Sequence, residues 1–220
     1  MKPKRTLIHY LCLSGIVALV FYLLHDVIGG MLYPGYDRSS QAVSDLTAIN
    51  APSYVVASGL ASIYGLFSGL SSALVCIVVQ GKGSKTLRLG IYLFAIMNWV
   101  SAVGYSLFPL SASGYAGTFQ DVMHVYVVTV AVVLLSVISL ALIIIGGLRD
   151  GARYRSLAAW AIMALTGMVI GGAGTGIGPA AFFGVVERFS TYSAVVFTAV
   201  LGVFGFRAFG DPEGRQAAKS

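Results

Sequence analysis

The sequence predicts an all-α integral membrane protein with six transmembrane helices in one bundle. Three observations carry this prediction. First, 57% of the 220 residues are hydrophobic and only 10% are charged, whereas about 25% of the residues in a soluble domain are charged. Second, six segments are apolar over about 20 residues, the length needed to cross the hydrocarbon core. Third, twelve of the 14 Lys and Arg residues fall on one side of these segments.

Each apolar segment is predicted to be a helix, because backbone groups inside lipid must form their hydrogen bonds within their own segment. The first segment resembles a signal peptide, but its apolar run is too long and lacks an Ala-x-Ala-like exit, so we expect an uncleaved span. The spans account for nearly the whole chain and predict a single domain over residues 1–220. They cover residues 7–30, 54–79, 89–110, 122–148, 157–177 and 189–209.

The basic residues predict the orientation of the chain. The positive-inside rule assigns the side rich in Lys and Arg to the cytoplasm, so both termini are expected to be cytoplasmic. Only Arg38 and Arg188 lie on the opposite side. The net charge of +6 reflects this bias, and no basic cluster is interleaved with aromatic residues as nucleic-acid binding would require. We therefore expect no nucleic-acid partner.

The longest outer connection, residues 31–53, is expected to be structured. It opens with a turn-forming run at residues 33–37, and residues 39–46 could form a short helix on the membrane surface. Connections of this length without structure are uncommon unless they are functional.

Small residues recur where helices are expected to approach each other closely. Gly65-x-x-x-Gly69 and Gly167-x-x-x-Gly171 have the spacing that permits close helix packing. Packing within one chain is the favoured interpretation, and a homo-oligomer through these faces is the alternative. Cys12 and Cys76 lie within spans and are predicted to be unpaired packing residues.

Several local patterns follow one another in a recognisable order. Residues 33–38, Tyr-Pro-Gly-Tyr-Asp-Arg, follow the first span, and residues 41–46, Gln-Ala-Val-Ser-Asp-Leu, come soon after. Phe108-Pro109 ends the third span, His124 opens the fourth and Glu187-Arg188 opens the sixth. In this order the features resemble a bacterial membrane-protein family catalogued as domain of unknown function 998. The resemblance covers about the whole chain and implies a compact multi-span helical protein with a structured first outer loop. The expected location is a bacterial inner membrane. It implies no activity.

The predicted outer face collects the ionisable residues that lie in or near the spans. Such groups are costly in a membrane and usually face a cavity or a partner. A structural interpretation is available, since Asp121 and Glu187 lie at helix N-termini, which carboxylates favour. Glu187 and Arg188 could also pair with Arg38 or Asp26. The residues are His25, Asp26, Asp37, Arg38, Asp45, Asp121, His124, Glu187 and Arg188.

A catalytic interpretation uses the same residues. Asp121 and His124 share one helical face at i, i+3, and His25 or Asp26 would supply a third ligand. Three protein ligands and a water form a catalytic zinc site, which could hydrolyse a lipid at the outer leaflet. In a second variant Ser44 is the nucleophile, with His124 or His25 as base and Asp26 or Asp121 as the orienting group. Outside this alternative no cofactor is predicted.

A binding interpretation adds polar residues below the outer face. Asn98, Ser101 and Tyr105 lie on one face of the third span, and Thr129 and Ser136 on one face of the fourth. Asn98 alone is best explained by an interhelical hydrogen bond, but the whole sparse polar lining suits an amphiphile. We therefore favour binding or transport of a lipid-like amphiphile drawn from membrane lipids, with the hydrolase as alternative. The predicted ligand-binding residues are Arg38, Asp45, Asn98, Tyr105, His124, Glu187 and Arg188.

Overall fold

A computed structural model describes residues 5–207, and over this range the chain contains six helices that are long and apolar enough to cross a membrane. The prediction of a six-span helical membrane protein is thus confirmed. We number the helices α1 to α6. They are α1 Leu7–Met31, α2 Tyr54–Val78, α3 Lys85–Leu107, α4 Phe119–Arg149, α5 Ala152–Ile177 and α6 Phe183–Arg207.

Several helices extend beyond the apolar segments that predicted them. α3 begins at Lys85, four residues before the predicted start, because the Ser84 side chain caps it by accepting a hydrogen bond from the amide of Leu87 at 3.1 Å. α5 begins directly after Gly151 and includes the basic turn at Arg153 and Arg155. Apolarity marks only the part of a helix that lipid would cover, so polar end turns are missed.

Some of the sequence-based predictions fall outside the described residues. They include the end of the sixth span at residue 209 and the basic residues Lys2, Lys4, Arg215 and Lys219. The orientation of the termini stays a prediction. We call the end of the bundle that carries residues 32–53 the outer end, in accordance with that prediction.

The six helices form a closed ring in chain order. Each helix packs against the next, α6 returns to α1, and α2 also contacts α6 across the ring. The main apolar core, with Phe94, Leu140 and Phe197 fully buried, joins α3, α4 and α6. A smaller cluster at the outer end packs Val43 and Leu46 of the first outer connection against Tyr22 and Val195.

Two helices are irregular. In α1 the regular helix is interrupted between Leu7–Leu11 and Ser14–Met31, and the Ser71 hydroxyl donates to the carbonyl of Cys12 at 2.7 Å. An interrupted helix is tolerated inside a membrane when a side chain of this kind bonds to the freed backbone carbonyl. In α4 the segment Met123–Thr129 forms a π-helical turn, which widens the helix beside His124.

The glycine motifs of α2 and α5 pack within the chain. Gly65 and Gly69 face α3, and a methyl group at Gly65 would lie 3.0 Å from the Cβ of Ala102. Gly167 and Gly171 face α6, where a methyl group at Gly171 would meet the α6 backbone 2.5 Å away. These four glycines therefore serve close contacts between neighbouring helices of one molecule.

The first outer connection contains a short 3₁₀ helix, Val43–Thr47. A short helix was expected on the membrane surface at residues 39–46. The 3₁₀ helix overlaps only the second half of that range, and Val43 and Leu46 are buried in the bundle and anchor the segment there. Two further hydrogen bonds tie this connection to its neighbours. The Ile49 amide donates to Leu110 and the Val185 amide donates to Ser39.

Candidate functional site

A buried ion pair between α1 and α6 stands at the centre of the outer end. Asp26, only 1% exposed, accepts two hydrogen bonds from Arg188. Nη2 donates to Oδ1 at 2.9 Å and Nε to Oδ2 at 3.1 Å. The Tyr192 hydroxyl also donates to Oδ2. A bidentate arginine–carboxylate pair is stronger and more specific in geometry than a single hydrogen bond between neutral groups.

The remaining donors of Arg188 hold the first outer connection in place. Nη1 donates to the carbonyls of Arg38, Gln41 and Gly184 at 2.8, 3.2 and 3.0 Å. Nη2 also donates to the Tyr36 hydroxyl at 2.8 Å. Every N–H group of Arg188 that faces the protein is thus engaged, and the residue acts as a clamp between α1, α6 and this connection.

Tyr36 extends the clamp into the outer connection. Its hydroxyl donates to the carbonyl of Ala42 at 2.7 Å while it accepts from Arg188. Burial raises the pKa of Tyr36 to about 12, so the phenol stays neutral and keeps the proton that it donates. Glu187, the neighbour of Arg188, accepts from the amide of Val43 at 2.7 Å. It thereby caps the 3₁₀ helix, as a carboxylate favours the N-terminal end of a helix.

Asp45 and Asp121 join the outer connections. The Asp45 carboxylate accepts from the Gly114 amide at 2.9 Å. Asp121, fully buried, accepts from the amide and the hydroxyl of Ser111 at 2.7 and 2.9 Å and from the Thr118 amide at 3.1 Å. Each of the two carboxylates accepts hydrogen bonds from backbone amides. This is the structural role that is expected for a carboxylate near the start of a helix.

His124 binds the end of α3. Its Nδ1 lies 2.7 Å from the carbonyl of Phe108, and its ring packs against Tyr105 with 4.7 Å between centroids. The Tyr105 hydroxyl donates to Thr129 at 3.0 Å, and Thr129 donates to the carbonyl of His124 at 2.9 Å. Tyr105, Thr129 and His124 thus form one network between α3 and α4 at the π-helical turn.

His25 is buried without a hydrogen-bond partner. It is 4% exposed, and neither ring nitrogen bonds to any residue within the described range. Its ring lies against Tyr22 with 5.6 Å between centroids.

The residues proposed for catalysis have separate contacts. His25 lies on α1 and His124 on α4, helices that are not neighbours in the ring, and Asp121 is saturated by loop donors. Across residues 5–207 no three His, Cys, Asp or Glu side chains are grouped as a metal site requires. The Ser44 side chain makes no hydrogen bond to a histidine within that range. The zinc and serine hypotheses thus gain no geometric support.

Asn98 is explained by helix packing. It is 2% exposed, donates to the carbonyl of Phe94 at 3.1 Å and accepts from Thr198 of α6 at 3.4 Å. This is the interhelical hydrogen bond expected for Asn98 taken alone.

One cavity opens beside the clamp, and we call it the α5–α6 groove. Its volume is about 560 Å³, within the range typical of small-molecule sites. The outer end is polar and the rest is mainly apolar. Of the predicted ligand-binding residues, only Arg38 and Arg188 line it. The lining residues are Asp26, Arg38, Ser39, Trp160, Met163, Ala164, Val185, Arg188, Phe189, Tyr192, Ser193, Val196 and Phe197.

Sequence reasoning missed the α5 wall of the groove. Trp160 and Met163 carry no charge and belong to no motif, so the only available signal was their place in a span next to α6. Tyr192, one turn after Arg188 on α6, could have been found from helical spacing, because residues four apart share a face.

Of the comparisons with known proteins, only the one with family models gives a match. No curated protein and no solved structure matches the chain. A family model matches residues 16–204, a range that holds α2 to α5 in full and all of α1 and α6 except residues 7–15 and 205–207. The match agrees with the resemblance carried by the outer connection and by Glu187-Arg188. The chain therefore belongs to the family described as "Protein of unknown function (DUF998)".

Proposed function

We propose that this multi-pass membrane protein binds or transports a lipid-like amphiphile, which enters the α5–α6 groove from the bilayer. The observation that carries the proposal is the shape and lining of the groove: a mainly apolar cavity of about 560 Å³ with Arg38 and Asp26 at its outer end. An amphiphile needs both parts, an apolar wall for its chain and polar groups for its head.

The length of the groove suits an acyl chain. Along α6 it runs from Val185 to Phe197, which is about 18 Å at a rise of 1.5 Å per residue. The hydrocarbon core is about 30 Å thick, so a chain that starts at the outer end would reach past the middle of the bilayer.

The groove also faces the side from which a lipid would arrive. Met163 and Phe189, on its two walls, are 61% and 58% exposed, and in a membrane these side chains would contact lipid. A ligand could then enter sideways between the helices without crossing the polar outer connections. Hydrolysis is not proposed as a second function, because the candidate nucleophile Ser44 and the candidate bases His25 and His124 do not line the groove.

The two tryptophans of the chain provide a matched test. Trp160 lines the groove and Trp99 on α3 does not, yet their exposed fractions are nearly equal, 44% and 45%. In a neutral detergent, a dilute brominated amphiphile would quench either ring by chance contact. Specific binding would quench Trp160 at much lower concentration than Trp99.

The experiment compares Trp99→Phe, in which Trp160 is the reporter, with Trp160→Phe, in which Trp99 is the reporter. We expect saturable quenching of Trp160 and only linear, weaker quenching of Trp99. Superimposable quenching curves for the two reporters, whatever the amphiphile, would refute binding in the groove.

A further inference from the structure

We propose that the headgroup recognised at the α5–α6 groove is an anion, a lipid phosphate or carboxylate, and that Arg38 is the residue that binds it. This inference rests on the proposed function, since it names the ligand class of the same groove. It follows from a difference between two arginines that both lie beside Asp26.

The Arg38 side chain has N–H groups that make no hydrogen bond, whereas every N–H group of Arg188 that faces the protein is already hydrogen-bonded. A single hydrogen bond involves the Arg38 side chain, from Nη2 to the backbone carbonyl of Asp26 at 2.7 Å. Its Nη2 stays 3.7 Å from Oδ1 of the same residue. Neither Nε nor Nη1 of Arg38 bonds to any residue in the described part of the chain, and the side chain is 48% exposed. Two adjacent N–H donors of a guanidinium match two oxygens of a phosphate or carboxylate.

The charge of Arg38 is not cancelled by its surroundings. Asp26 is neutralised by the closer, bidentate pair with Arg188. The carboxylate next in sequence, Asp37, is turned to the Ser39 amide and the Ser40 hydroxyl at 2.9 and 2.7 Å. The charged residues that line the groove are two arginines, Arg38 and Arg188, and one carboxylate, Asp26. This lining carries an excess positive charge, which attracts an anion and disfavours a cationic head.

The local backbone leaves room for the guanidinium. Arg38 lies over Gly30, where a methyl group would approach Nε to 3.3 Å. It also borders a second cavity of about 350 Å³ beside Val27, Met31 and Tyr36. A bound headgroup can thus reach Arg38 without moving the clamp, because none of the hydrogen bonds of Arg188 has to break.

The test uses Trp160 quenching in the Trp99→Phe protein, in a neutral detergent, with three brominated probes. They are a fatty acid, a phosphatidic acid and a zwitterionic phosphatidylcholine. Loss of a charge-assisted hydrogen bond corresponds to about 10-fold or more in affinity. We expect half-maximal quenching by the two anionic probes at about 10-fold lower concentration than by the zwitterionic one.

Arg38→Gln should abolish this preference, while Arg155→Gln should retain it. Arg155 is exposed at the opposite end of the bundle, so its substitution removes the same net charge without touching the groove. Arg38→Lys keeps the positive charge but loses the planar guanidinium group. Its preference for the anionic probes should lie between those of the parent and the glutamine variant. The lysine variant also supplies the comparison where the glutamine variant does not fold.

The outcomes separate this inference from the proposed function. Equal quenching of Trp160 by all three probes, or a preference that survives Arg38→Gln, would overturn the anion inference but leave groove binding intact. A preference for only one anionic probe would identify the headgroup as phosphate or carboxylate and would support the inference. Absence of specific Trp160 quenching by any probe would refute both proposals.

Discussion

Asp26→Leu should destabilise the protein strongly, because it leaves the Arg188 guanidinium without a counter-ion. The Arg188 side chain is 11% exposed, so water cannot replace the lost carboxylate. Removal of one partner from a buried ion pair costs about 3–5 kcal/mol. The Tyr192 hydroxyl loses its acceptor as well, which favours the upper part of this range.

The double variant Asp26→Leu/Arg188→Met separates the pair from the clamp. With both charges removed, no isolated buried charge remains. The decrease in the free energy of unfolding should therefore be smaller than the sum of the decreases in the two single variants by about 2–3 kcal/mol. A residual cost is expected, since Arg188→Met also frees the three carbonyls of Arg38, Gln41 and Gly184. Each such hydrogen bond contributes roughly 1 kcal/mol.

The free energies of unfolding can be measured by titration with sodium dodecyl sulfate in mixed micelles, followed by circular dichroism. The parent, the two single variants and the double variant complete the cycle. If the single losses add to within about 0.5 kcal/mol, the two residues do not interact. That result would refute the stabilising interaction assigned to the buried bidentate pair.

Three further predictions test the packing and the outer connection. His25→Leu should raise the free energy of unfolding by about 1–2 kcal/mol, because an unpaired polar side chain is removed from a buried site; a loss of stability in the same titration would indicate that His25 has a bonding partner. Gly171→Ala should cost about 2 kcal/mol or more through overpacking against the α6 backbone, whereas Gly172→Ala, whose methyl group meets open space, should be neutral or stabilising. The Ser40 hydroxyl lowers the pKa of Asp37, so the stability contributed by Asp37 is present above the ordinary pKa of 3.8 and is lost as the pH falls below it. Hydrogen exchange in the turn at residues 37–41 should accelerate over that acid range, and Asp37→Asn should remove this dependence.

The spans were predictable because lipid imposes a simple rule on the sequence. A helix that crosses the hydrocarbon core must be apolar over about 20 residues, and each of the six segments meets that length. The end turns were not predictable by the same rule, since Lys85 or Arg153 can extend a helix into the headgroup region at little cost. Local capping by Ser84 decides where α3 begins, and the start of the helix therefore cannot be read from the hydropathy of the sequence.

The sequence offered the pairing at the outer end as one option, since Glu187 and Arg188 could pair with Arg38 or Asp26. It could not show the bidentate geometry, because Asp26 and Arg188 are 162 residues apart. Only the closure of the ring by α6 against α1 brings these two together. The π-helical turn at Met123–Thr129 was likewise not predictable, because its residues continue the apolar run of an ordinary span.

The outer-face residues do not have to be assigned as a group to structure or to binding. Asp45, Asp121 and Glu187 are occupied by backbone amides, and Arg188 and Asp26 satisfy each other. Their role is to fix the outer connection to the bundle. That fixation determines the position of Arg38, which lies in the same connection and keeps N–H donors that make no hydrogen bond. A binding site at this end therefore depends on the saturated residues for its geometry and on Arg38 and the α5–α6 groove for its chemistry. Substitution of a clamp residue should change stability and binding together, whereas substitution of Arg38, which makes a single hydrogen bond, should change binding more than stability.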